Sequence, residues 1–251
     1  MSFNWSEVLP VERIMDATLI EKNIIKKIID GQYKNVLPSE RELSNEFKVT
    51  RQKIREILQR LQQDGWIEIQ HGKPTRIKFI YEEGGLNILN SLIRHNILEL
   101  PNITKEEFII KLLEIRYALA PVYTESCLKI NSSVIKEYLK YGLEKQNLNK
   151  LKCSSKDITN FDWHLHRILC KYSENILFLF LLNSFKEIYF YFGIQYFSLE
   201  EARKRSIEFY KKFYKYIQEE NCEKAVLEMK KVTKDSINIL KKALSNHKKT
   251  N

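Results

Sequence analysis

Apolar residues recur at three- and four-residue spacing along most of the chain, and the places where that rhythm changes mark its organisation. Residues 1–16 carry little pattern. Ile20, Ile24 and Ile28 then define one face of a helix that Gly31 ends. Ser39 followed by Glu42 is a capping box, so a second helix starts near Glu40, with Leu43 and Phe47 on its apolar face. Pro38 blocks any extension of that helix backward. Lys48 and Val49 make a brief turn, and the Thr50 hydroxyl caps a third helix. In it Ile54, Ile57, Leu58 and Leu61 form a stripe that must be buried, and Asp64-Gly65 stops it. From Trp66 the period falls to two. Trp66, Ile67 and Ile69 are strand formers, with Glu68 and Gln70 outward. His71-Gly72-Lys73-Pro74 is a turn, and Thr75, Ile77 and Phe79 alternate with Arg76 and Lys78.

Tyr81-Glu82-Glu83-Gly84-Gly85 breaks the pattern, and everything from Leu86 onward reads as helix. Proline interrupts only at Pro101 and Pro121, and glycine only at Gly142 and Gly193. Six or seven helices fit this length. The apolar run Ile176–Leu182 is far shorter than the roughly 20 residues a membrane span needs, which predicts a buried helix at the centre of a bundle. The expected fold is therefore mainly α. A winged helix-turn-helix domain covers residues 1–80, a linker 81–85, and an all-helical bundle 86–251. No internal repeat and no low-complexity segment interrupts it.

Charge sharpens this reading. Arg51, Gln52, Lys53 and Arg55 cluster in the first two turns of the third helix, the end that a recognition helix points into the major groove. His71 and Lys73 sit at the tip of the hairpin. From Lys48 to Lys78 there are eight basic and three acidic side chains, enough to replace counterions on a phosphate backbone. The whole chain of 251 residues carries a net charge of +10. Residues 1–80 hold 14 basic against 11 acidic side chains, leaving 28 and 21 in the remainder. That larger surplus is solvated helix surface in part, and in part a surface suited to an anionic ligand. Cys127, Cys153, Cys170 and Cys222 contain no CxxC pair, which excludes a zinc ribbon or a disulfide scaffold and suits reduced thiols in the cytoplasm. The N-terminus lacks a signal-peptide pattern. With seven glycines and no GxGxxG, GxxxxGK or GxSxG, no enzymatic apparatus is visible. Two classes stay open: a DNA-binding regulator, and an acyl-CoA or lipid carrier with an appended basic module.

The phrases LPSERELS, VTR, REILQRLQQDGWIEIQHGKPT and GGLNIL resemble the GntR family of bacterial transcription regulators, and within it the fatty-acid-responsive branch. The likeness continues more weakly through LLEIR at 112–116, GIQYFSLEEAR at 193–203 and EFYKK at 208–212. It implies a homodimer on a pseudo-palindromic operator in double-stranded DNA, with long-chain acyl-CoA as effector, no cofactor and no membrane. Arg41, Thr50, Arg51 and Arg55 match positions that contact phosphates and base edges, and His71 and Gly72 match a wing tip that enters the minor groove. Gln52 and Lys53 replace small hydroxyl residues on the base-reading face, so the operator differs from the family's usual one. Arg41 has a second reading, a surface ion pair with a nearby glutamate. In the effector domain Arg116, Tyr196 and Ser236 match pocket positions, Arg116 as a cation meeting CoA phosphates. Tyr189-Phe190-Tyr191-Phe192 and Tyr196-Phe197 suit an acyl tunnel or plain core packing. Thr233 stands where the family has a small glycine, and Leu240 where it has an aromatic.

A metal-assisted small carboxylate effector is the competing reading within the family. Asp162 and His166, four apart on one helical face, resemble the opening of a divalent-ion site. The matching later positions are Tyr210 and Val232, neither of which completes it, so no bound metal is expected.

Overall fold

The computed structural model describes residues 17–144 and 153–248. The chain forms two compact units, divided between Lys105 and Glu106. The first contains α1 (Ala17–Ile29), α2 (Glu40–Phe47), α3 (Arg51–Gln63), β1 (Ile67–Glu68), β2 (Arg76–Ile77), α4 (Ile80–Glu83) and α5 (Leu86–Arg94). Local chemistry sets these boundaries. Glu42 Oε2 accepts from the Ser39 N–H at 2.7 Å while Ser39 Oγ accepts from the Glu42 N–H at 3.3 Å, so the capping box forms as predicted. Lys48 turns in the left-handed region (φ 53°), and Ser44 Oγ donates to the Val49 carbonyl at 2.6 Å, holding the turn tight. Thr50 Oγ1 accepts from the Lys53 N–H at 3.3 Å and starts α3. Ile54, Ile57, Leu58 and Leu61 of α3 are buried, as are Ile20, Ile24 and Ile25 of α1 and Leu43 and Phe47 of α2, and α3 packs on both of those helices.

The wing pairs β1 and β2 antiparallel, with Ile67 opposite Ile77 and Glu68 opposite Arg76. A third segment lies alongside: the Leu37 N–H donates to the Thr75 carbonyl and the Ile77 N–H to the Asn35 carbonyl. The ladder is shorter than the alternation predicts. Phe79 does not extend β2; it is 55% exposed and begins the turn into α4. The cause is Glu83, which accepts two hydrogen bonds from Arg76 at 3.0 Å and one from the Phe79 N–H at 3.1 Å, and so folds the chain back. Residues 81–85, expected as a linker, lie within the first unit, because Ile88 and Leu92 of α5 are buried and Ser91 bonds to Trp66.

The second unit contains α6 (Lys105–Glu144), α7 (Ser155–Lys171), α8 (Ile176–Ser184), α9 (Lys186–Tyr196), α10 (Glu200–Gln218) and α11 (Cys222–Lys248). α6 contains Pro121 and breaks at Asn131 (φ −134°, ψ 42°), so it is two helical segments in one run. Its C-terminal half lies so close to α7 that a Cβ on Gly142 would fall 2.2 Å from the Phe161 ring. Phe161, Leu165 and Leu169 of α7 meet Phe209 and Phe213 of α10 and Met229 of α11 at the centre. The expectation of a buried central helix at Ile176–Leu182 fails. α8 has no buried residue; Phe178, Leu179 and Leu182 rest on the core while Ile176, Leu177 and Phe180 are exposed. A helix apolar on every side encodes no preferred face, and α7 and α9 cover only part of it.

Candidate functional site

The first unit gathers the basic residues on its surface. Arg51 and Gln52 occupy the opening turn of α3 and are exposed, Lys53 beside them is half-buried, and Arg55 follows one turn on, exposed. Arg41 projects from α2, and the wing tip presents His71, Gly72 and Lys73 to solvent, turned by the left-handed Gly72 (φ +71°). Thr50 is exposed, and because its oxygen caps α3 by accepting, its hydroxyl proton is still available to a phosphate. Among the described residues none forms an ion pair with Arg41 or Arg51; Lys53 has only a loose contact to Glu56 at 3.8 Å. Arg55 is different. Its Nε donates to Glu40 Oε2 at 2.8 Å while most of the side chain stays exposed. Glu40 carries no hydrophobic or motif signal beyond its place in the first turn of α2, so sequence reading passed over it. Below the wing, Arg76 ties Glu68 and Glu83 together. Gln70 and then Arg76 hold the Glu68 carboxyl low, and Arg76 with the Phe79 N–H holds Glu83 at about 2.

In the second unit, Arg116, Asp162 and His166 converge in one buried polar knot. Arg116 Nη2 donates to Asp162 Oδ2 at 2.9 Å and to His166 Nε2 at 2.6 Å. A guanidinium can only donate, so Nε2 is the acceptor and the imidazole proton sits on Nδ1, 2.6 Å from the Tyr123 hydroxyl oxygen. The Tyr210 hydroxyl donates to Asp162 Oδ1 at 2.8 Å, and Tyr189 donates to Oδ2. One carboxylate thus joins α6, α7, α9 and α10. Burial opposes its ionisation, yet Arg116, His166 and the two phenols outweigh burial and keep it charged below the usual carboxylate range. Burial, and then the Arg116 charge, push His166 down to about 3, so it is neutral. The phenols of Tyr123, Tyr189 and Tyr210 are pushed well up by burial.

This arrangement bears on two readings. One terminal nitrogen of Arg116, Nη2, is bonded to both Asp162 and His166 and so ties α6 to α7. It also stands where a divalent ion would have to sit between those two side chains. No group of three or more His, Cys, Asp or Glu converges among the described residues, and Val232 is plain core. The donor set does not fit a metal ion. Tyr123 and Tyr189 complete the knot; Tyr123 lies seven residues after Arg116, two helical turns along the same face, which is the signal that could have revealed it. Tyr196 and Ser236 form a separate pair, the phenol donating to Ser236 Oγ at 3.1 Å and Ser236 Oγ to the Val232 carbonyl at 2.8 Å. Burial pushes the Tyr196 hydroxyl up to about 12, and Arg116 and Asp162 are near enough to act on it.

A winged helix-turn-helix with a basic reading end, followed by an all-helical unit with a polar interior, has the build of a ligand-responsive bacterial DNA-binding regulator. Comparison with known proteins agrees. Residues 17–77 match the model of bacterial regulatory proteins of the gntR family, and residues 79–249 match the FadR C-terminal domain. The fatty acid metabolism regulator protein of Shewanella oneidensis is 36% identical over 197 residues, 78% of each chain. That of Shewanella amazonensis is 37% identical over 196 residues, 77% of each chain. Among solved structures, Lar of Listeria monocytogenes shares the fold with a TM-score of 0.56 at 13% identity, over 92% of this chain and 99% of that one. The chain belongs to the FadR branch of the GntR family of bacterial transcription regulators.

Proposed function

We propose that this protein regulates genes of fatty acid metabolism by gripping a pseudo-palindromic operator as a homodimer, and that long-chain acyl-CoA releases it. Two copies are needed because one recognition helix reads only a few base pairs, too few to single out a genomic site. Arg51 and Arg55 read base edges, Arg55 with its guanidinium aimed by Glu40. Arg41, Thr50 and Lys73 meet phosphates, Gln52 and Lys53 face the bases, and His71 and Gly72 enter the minor groove. The cytoplasm, where the chromosome lies, is the place of action.

The observation that carries the effector half is the bent helix pair α8–α9. Its apolar and aromatic side chains are mostly half-exposed rather than packed away, and Ile176, Leu177 and Phe180 are exposed. Beside it lies the Tyr196–Ser236 pair. Such a surface has apolar area to give to an acyl chain, and each buried methylene contributes about 0.8 kcal/mol. A polar effector has no use for it. Arg116 supports the pocket by fixing α6 to α7. The ligand shifts the balance between DNA-competent and DNA-incompetent states only by its difference in affinity for the two. The test is calorimetry with an acyl-CoA series from short to long, together with mass spectrometry of whatever co-purifies with the protein. Affinity rising steeply with chain length supports the reading; no binding at any length defeats it.

A further inference from the structure

The recognition helix α3 is read at one end and held at the other. Its final cap, Asp64, accepts from Arg94 Nη2 at 2.8 Å on both carboxylate oxygens and from Ser91 Oγ at 2.8 Å. Ser91 Oγ in turn accepts from the indole Nε1 of the fully buried Trp66 at 3.0 Å. One turn earlier, Arg60 of α3 donates to Glu21 of α1, and the other Glu21 oxygen lies 3.4 Å from His95 Nε2. Ser91, His95 and Glu21 are all buried. Ser91 and Arg94 lie at the end of α5 with His95 directly after, in a segment that the helix-turn-helix and wing do not include. The backbone groups of α2 and α3 do not need them. What these bonds fix is the direction in which α3 leaves its C-terminal anchor.

We infer that Asp64, Ser91 and Arg94 are positioning residues for DNA reading, and that α5 is a working part of the DNA-reading unit. The inference rests on α3 being the recognition helix. α3 has 13 residues and so is about 18–20 Å long. A tilt of about 5° about Asp64 moves the Arg51 end by roughly 1.6 Å, whereas a binding constellation works only within about 0.5 Å of its productive geometry. Base contacts are therefore lost before phosphate attraction, which depends on charge more than on angle.

The test uses the full chain with Ser91→Ala, Arg94→Ala, Arg94→Lys and Arg51→Ala, binding to a selected operator and to a random duplex at several salt concentrations. Arg94→Ala and Ser91→Ala are expected to lower operator affinity about tenfold, the loss of one misaligned bidentate contact. Random-duplex affinity and the salt slope stay as in the parent, and Arg94→Lys recovers most of the loss. Arg94 is half-exposed, so its variants carry the test if Ser91→Ala fails to fold. An unchanged operator-to-random ratio in Arg94→Ala, with Arg51→Ala impaired, overturns the inference alone. Equal losses on both duplexes with a shallower salt slope overturn it too, by making Arg94 a phosphate contact. If Arg51→Ala is also without effect, the recognition-helix reading itself falls.

Discussion

His166 makes the second unit sensitive to acid in a way that can be calculated. The folded protein holds this imidazole neutral, with a pKa near about 3 against an ordinary 6.5. Below pH 6.5 the unfolded chain binds a proton here and the folded chain does not, so stability falls as pH falls and is fully present only above 6.5. Each pH unit across the gap costs about 1.4 kcal/mol. From pH 6.5 to 5 the loss is about 2 kcal/mol. Asp162 does not contribute in this window, because its carboxyl titrates below the ordinary carboxylate range. His164 and the exposed carboxylates do contribute, and comparison with a variant removes them. His166→Phe has a ring of similar size without a titrating group. Urea unfolding at pH 7.5, 6.5, 5.8 and 5 is expected to show the parent losing about 2 kcal/mol more than His166→Phe between 6.5 and 5. Parallel curves for the two proteins would refute the buried neutral histidine.

Four further outcomes are expected. Arg51→Ala and Arg55→Ala each weaken operator binding by about 1–3 kcal/mol while random-duplex binding falls less, measured by anisotropy at fixed salt; unchanged affinity in both removes α3 as the reader. Lys73→Ala lowers affinity for all sequences alike and makes the salt slope shallower by about one unit, and a slope equal to the parent's means no phosphate contact at the wing tip. Arg116→Ala leaves Asp162 buried without its cation and costs about 3–5 kcal/mol in thermal or urea unfolding. Dialysis against a chelator leaves the parent's melting temperature unchanged, and a chelator-dependent drop would restore the metal reading.

The first unit was legible because its signals are local. A capping box, a hydroxyl cap and an i, i+3, i+4, i+7 stripe each act within one or two turns, and Ser39, Thr50 and Ile54–Leu61 behave as their neighbours dictate. The errors came where distant partners decide. Phe79 has strand chemistry but lies between Arg76 and Glu83, whose bidentate pair bends the chain. α8 has the composition of a core helix and no polar side to orient it, so only tertiary contacts could tell which face stays wet. Arg116 and Asp162 are 46 residues apart, and nothing in either local sequence announces that one neutralises the other. The same holds for Arg55 with Glu40 and for Asp64 with Arg94, pairs that only the folded chain brings together.

The proposed release of DNA by a long acyl chain is the central claim of the regulatory reading. The direct measurement is fluorescence anisotropy of the full-length protein on a labelled operator selected from a random pool, titrated with acyl-CoA of increasing chain length and with free CoA. Long-chain acyl-CoA is predicted to release the duplex at a concentration that falls as the chain grows, while free CoA leaves the complex intact. A complex that survives saturating acyl-CoA of every length would contradict the proposed switch.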